Sequence, residues 1–184
     1  MKASFLGRIL MAVVLVSGAM AASKTAPGQP QTDRQIAEAV RHQIAMYPYY
    51  GIFDDVSFTV VQGQVILTGD VVQPVQKSDL GRLVQKVPGV TSLTNNIQVL
   101  PLSDFDNRLR MQIARAVYGN PVLSRYANEP VPPIHIIVNN GHVTLAGTVA
   151  TDMEKQVAGM AANQGLSFGP VTNNLVVENP AKRS

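Results

Sequence analysis

The stretch HVTLAGTV, residues 142–149, places a glycine inside a run that otherwise alternates like a β-strand, with Val143, Leu145 and Val149 on one face. Earlier, residues 64–71 read QVILTGDV. There Val65, Leu67, Gly69 and Val71 match Val143, Leu145, Gly147 and Val149 in type and spacing, at an offset of 78. The correspondence extends outward without a gap: Gly63 matches Gly141, Lys77 matches Lys155, Gly81 matches Gly159, and TNNIQV (94–99) matches TNNLVV (172–177). Upstream, Asp33, Val40 and Ile44 align with Asp106, Ile113 and Val117 at an offset of 73, so the second copy carries five extra residues before its first strand. Self-similarity at a fixed period identifies the building unit, and here the chain is one small unit used twice.

Each unit reads as helix, strand, strand, helix, strand. In the first, Asp33 is placed to cap a helix whose Ile36, Ala37, Val40 and Ile44 share a face, and YPYYG (47–51) breaks it. Val56, Phe58 and Val60 alternate, as do Val65 and Leu67 beyond a turn at Gly63, which predicts a hairpin; in the second copy the turn is NNG (139–141). Helical spacing returns from Pro74 to Val87, through Val75, Leu80, Leu83 and Val84, and NNIQVL supplies a third strand. The hairpin strands are antiparallel and the crossover strand parallel, so the sheet is mixed. The fold class is α+β: two tandem αββαβ domains, each a two-layer sandwich of two helices on a three-stranded mixed sheet. Gly69 and Gly147 are structural glycines in this reading. They stand where the second strand ends and the chain swings toward the next helix, where a side chain would obstruct an unusual φ or the helix's approach. A phosphate-cradling loop needs further glycines at set spacing, which neither site has.

The domain boundaries follow. Lys2 and Arg8 precede an apolar run, and Ala19-Met20-Ala21 supplies small residues, so residues 1–21 are expected to be a cleaved secretory signal. Residues 22–31 form a Pro/Gly/Gln-rich leader, 32–100 the first domain, 103–179 the second and 180–184 a tail. The chain has no cysteine, hence no disulfide staple and no lipid-attachment cysteine. Removing Lys2 and Arg8 from 15 basic residues leaves 13 against 12 acids, a charge of +1. A nucleic-acid partner has no electrostatic footprint on such a chain, and no transmembrane segment is expected after signal cleavage.

No catalytic constellation stands out. His42 lies on a solvated helix face, His135 and His142 flank the second hairpin without further ligands, and the Asp54-Asp55 doublet reads as solvated. Neither cofactor nor metal is implied. The helix over 104–118 is more informative: Phe105, Leu109, Ile113 and Ala116 make its core face, and Arg108, Met111, Arg115 and Tyr118 the opposite one. Cations bracketing apolar side chains suit contact with phospholipid headgroups or a partner protein, although an ordinary solvated face, or one packed on the first copy, fits as well. The proline-rich loop 118–133 brings Arg125 and Tyr126, which either extend that surface or belong to a cover over a sheet edge.

The segments VQGQVILTGDV and VNNGHVTLAGTV, the glycine before the second helix, the GV after it in copy one and the Asn-Asn-apolar third strand resemble the BON domain (bacterial OsmY and nodulation), over nearly the whole chain beyond residue 31. Copy two departs at QGLSFGPVTNN, where copy one has VPGVTSLTNN. The resemblance implies a non-enzymatic periplasmic protein of osmotic stress or envelope integrity. It also implies phospholipid binding through the second domain's first helix, with an anionic membrane surface or periplasmic proteins as partners. A periplasmic protein-interaction module or holdase is the alternative.

Overall fold

The structure is a computed structural model and describes residues 32–129, 131–164 and 170–178; the expected signal, leader and tail lie outside the described residues. The first unit consists of α1 (Asp33–Ala45), β1 (Asp55–Val61), β2 (Gln64–Val71), α2 (Pro74–Gln85), β3 (Ser92–Asn95) and β4 (Gln98–Val99). The second repeats it as α3 (Asp104–Tyr118), β5 (Ile134–Asn139), β6 (His142–Val149), α4 (Asp152–Asn163), β7 (Thr172–Asn173) and β8 (Val176–Val177). In each, the hairpin is antiparallel and the late strand pairs in parallel with the hairpin's second strand, giving the mixed αββαβ sheet expected.

Thr32, not Asp33, caps α1: its hydroxyl accepts from Gln35 N, and the Gln35 side chain returns to Thr32 N. Asp33 is thereby free to reach the hairpin turn, where its carboxylate accepts from Gln62 N at 2.7 Å and Gly63 N at 2.8 Å. Both turn residues have positive φ, as a two-residue hairpin turn matched to strand twist requires. Asp106 does the same for Asn140 N and Gly141 N, each at 2.9 Å.

The repeated asparagine and glycine belong to one contact. Asn95 interrupts the third strand, its Nδ2 donating to Lys77 O at 2.9 Å while its Oδ1 accepts from Ile97 N. A Cβ on Gly81 would lie 2.8 Å from that Nδ2, so only glycine lets the amide reach the helix backbone. Asn173, Lys155, Leu175 and Gly159 reproduce the arrangement. The third strand is therefore two short pieces around an asparagine rather than the continuous run expected.

Gly69 and Gly147 have φ of +113° and +104°. The crowding comes from a different neighbour than expected: β2 and β6 run two residues past the glycine, and an added Cβ would meet Asp55 O at 2.0 Å or Pro133 O at 1.9 Å at the start of the partner strand.

Each domain has its own core. Ile36, Val40, Val65, Leu67, Leu80, Val84 and Ile97 fill the first, and Ile113, Val117, Ile134, Ile136, Leu145, Ala158 and Leu175 the second, each large aliphatic contributing about 1.5–3 kcal/mol on full burial. Val75 and Phe105, expected in the cores, are exposed, and Ala116 is half-buried. The domains also pack on each other. Ile136 N donates to Ile52 O at 2.7 Å, Ile52 and Phe53 pack against the second core, and the Tyr50 ring lies 5.6 Å from that of His135. That contact leaves His135, Ile137 and Ala146 buried on the sheet face away from the helices, a face that an isolated two-layer domain would give to water.

Candidate functional site

Ser103 caps α3 by accepting from Asp106 N, and Asp104 and Asp106 in the first turn suit the positive end of the helix. The face toward the core is turned from the one expected: Asp106, Leu109, Arg110, Ile113, Ala114 and Val117 are buried. Arg108, Met111 and Arg115 stand outward as the spacing predicts, with Met111 47% exposed between two exposed arginines. Neither arginine has an ion pair among the described residues. Beside them lies an open, largely apolar depression of about 490 Å³ lined by Ile52, Ala114, Arg115, Tyr118, Ala127 and Pro132. Ile52 comes from the first domain, so the depression exists only where the domains meet.

Tyr118 does not complete the outward stripe. It is half-buried, its hydroxyl donates to Ile134 O at the edge of β5, and burial pushes its phenol well above the ordinary tyrosine value. Tyr126 is 5% exposed and cannot extend the surface. Its hydroxyl accepts from Ala150 N at 2.9 Å and Arg125 Nη2 at 2.8 Å and donates to Glu154 at 3.0 Å. Arg125 also pairs with Glu154, so its guanidinium is held by the loop–helix junction. A single 3-10 turn, Ser124–Asn128, thus fastens the inserted loop to the N-terminus of α4. Of the residues expected on the surface, Arg108, Met111 and Arg115 are brought together there and Tyr118 lines the depression beside them, whereas Arg125 and the buried Tyr126 fasten the inserted loop to α4.

Arg110 was not foreseen. It is 2% exposed, donating to Val138 O at 2.6 Å and Asn107 Oδ1 at 2.7 Å, while its Nε has no partner. Burial lowers its pKa, and the charge of Asp106 opposes the shift. The repeat does separate it from Arg108, since at the offset of 73 Arg110 falls on Ala37 beside the core face and Arg108 on the exposed Gln35, but the carbonyl it meets belongs to the distant edge of β5. Asp54, expected in solvent, is 3% exposed and bonded to Gly51 N, Val72 N and Gln76 Nε2. His135 faces Ala146 and His142 faces Asn139, so the hairpin sets the two imidazoles on different rungs. Among the described residues no group of three or more His, Cys, Asp or Glu could hold a metal, and no helix is long and apolar enough to cross a membrane.

A tandem αββαβ protein is the class that the geometry defines. The BON domain family model matches residues 32–101 and 106–179, and the chain belongs to that family. No curated protein matches. Among solved structures, the chain is similar to the C-terminal domain of CdsD, the structural protein of the type III secretion system of Chlamydia trachomatis, at 17% identity over 80% of this chain and 67% of that one, TM-score 0.31. A second structure of CdsD gives 18% identity over 80% and 95%, TM-score 0.30.

Proposed function

We propose that this BON protein works in the periplasm, without catalysing a reaction, and supports envelope integrity under osmotic stress by laying the outer face of α3 against anionic phospholipid. The observation that carries this reading is the exposed Arg108–Met111–Arg115 face, unpaired among the described residues and continuous with an apolar depression. With a net charge of only +1 after signal removal, attraction to an anionic surface has to come from a local patch, and each cation near such a surface contributes about 1 kcal/mol. Met111 and the apolar depression would sit at the headgroup boundary.

The test is sedimentation of the full chain with vesicles of graded anionic content. Binding is expected to rise with anionic lipid and fall with salt. The double reversal Arg108→Glu/Arg115→Glu should weaken it by a few kcal/mol on the same estimate, while Arg34→Glu/Arg41→Glu in the first domain leaves it unchanged. If both variants bind as the wild type does, the membrane reading loses its site. No vesicle binding, together with suppressed aggregation of an unfolded client, favours the holdase alternative.

A further inference from the structure

The two hairpins share their register and a two-residue turn, yet their outer edges are treated differently. In a hairpin closed by a two-residue turn, the residues flanking the turn exchange both backbone hydrogen bonds, and alternate residues point their N–H and C=O away from the partner strand. In the second domain the register therefore turns Ile134, Ile136 and Val138 outward. Each is engaged: Ile134 O by the Tyr118 hydroxyl, Ile136 N by Ile52 O, and Val138 O by Arg110. In the first domain the same register turns Val56, Phe58 and Val60 outward. Val56 N meets the Tyr50 hydroxyl at 3.2 Å, but Phe58 and Val60 have no partner on that side among the described residues.

That open edge floors a groove of about 680 Å³ whose other wall is α1, with Arg34, Ala37 and Arg41, and which Val131 borders. Soluble proteins guard exposed edges with charges, prolines or bulges. Residues 57–61, SFTVV, carry none of these. We propose that the edge of β1 at Phe58–Val60 receives an extended, acidic peptide segment of a partner protein as an added strand, held by backbone hydrogen bonds and by Arg34 and Arg41. This binding would be independent of the membrane reading.

The acidic character follows from the groove's charges. Arg34 and Arg41 stand seven residues apart on α1, about 10 Å along its axis, the length of about three strand residues. The carboxylate of Asp33 is occupied by the Gln62 and Gly63 amides. Glu38 pairs with Arg34 at 3.4 Å, but both side chains are largely exposed, and a pair of that kind is readily displaced. Arg41 stands 5.9 Å from the Phe58 ring, above the groove floor. A second copy is the poorer occupant, because a two-fold pairing of β1 with itself would bring two sets of these arginines together. Residues 22–31 fit poorly too, having two prolines, a lysine and no acid.

The probe is a capped peptide of alternating valine and threonine flanked by glutamates, added to the isotope-labelled full chain, with amide hydrogen exchange as readout. Exchange at Phe58 and Val60 should slow at least tenfold, with the Ile136 amide unchanged. A peptide N-methylated at alternate positions should lose binding at least tenfold, as should Arg34→Glu/Arg41→Glu, which should also come to prefer a lysine-flanked peptide. Binding indifferent to N-methylation and to charge reversal overturns the proposal, as does absence of binding at millimolar peptide. So does protection of Phe58 and Val60 in the free chain, whether it disappears on dilution to monomer or on deletion of residues 22–31.

Discussion

The carbonyl oxygen of Pro133 lies 1.9 Å from where a β-carbon on Gly147 would stand. Two independent constraints meet there, since Gly147 also has φ of +104°. Gly147→Ala is therefore expected to cost about 3 kcal/mol in urea denaturation, the upper part of the usual range for a strained backbone position. Gly51→Ala is the control, because its β-carbon would meet nothing closer than 3.8 Å. Equal losses for the two variants would refute the account.

Asp106 and Asp33 hold equivalent turns in unequal surroundings. Asp106 is fully buried and its charge favours the buried Arg110 more than that of Asp54 does, whereas Asp33 is half-buried. Asp106→Ala deprives two turn amides of their acceptor and removes the more influential of the two acidic charges that favour a buried guanidinium, a loss of about 3 kcal/mol. Asp33→Ala should cost about 1 kcal/mol, because water can replace the carboxylate. Chemical denaturation of both variants checks the order, and a larger loss at Asp33 would contradict it.

Where the two copies kept the same residues, the fold was legible: the turn glycines, the strand glycines and the Asn-Asn pair each mark a backbone contact that admits few side chains. Where they diverged, comparison of the copies was blind. Val72 N is satisfied by Asp54, and the equivalent Ala150 N by the Tyr126 hydroxyl, an acid from one loop and a phenol from an inserted one. Periodicity placed Arg108, Met111 and Arg115 on the outer face but could not show that Arg110 turns under the edge of β5. Nor could it show that Tyr118 spends its hydroxyl on Ile134, since both facts depend on strands distant in sequence.

Asp55 and Asp70 are directly opposed across β1 and β2. Burial first, and then the Asp55 charge, raise the Asp70 carboxyl above its ordinary value. The folded state thus binds protons more tightly than the unfolded one, so stability falls as pH rises through the carboxylate range, and the full penalty persists at neutral pH. Asp70→Asn should raise the melting temperature at pH 7, by an amount worth a few tenths of a kcal/mol once solvent screening is allowed for. The gain should vanish at about pH 3, below the carboxylate range. A gain that is constant across that range would mean that the charge is not its source.

Tyr126 separates a structural loop from a membrane-contacting one. Its hydroxyl is the acceptor for Ala150 N and a donor to the buried Glu154, so Tyr126→Phe leaves an amide unsatisfied and a carboxylate short of one partner. The expected loss is about 1–3 kcal/mol, read as a lower melting temperature. The ring stays in the second core and Arg125 keeps its pairing with Glu154, so Arg108, Met111 and Arg115 retain their setting on α3. Vesicle binding, measured well below the variant's melting temperature, should therefore match the wild type and keep its salt dependence. Weaker binding by the folded variant would show that the Tyr126 hydroxyl, or the loop it fastens, reaches the headgroups, and the contact surface would then extend from α3 across residues 124–128.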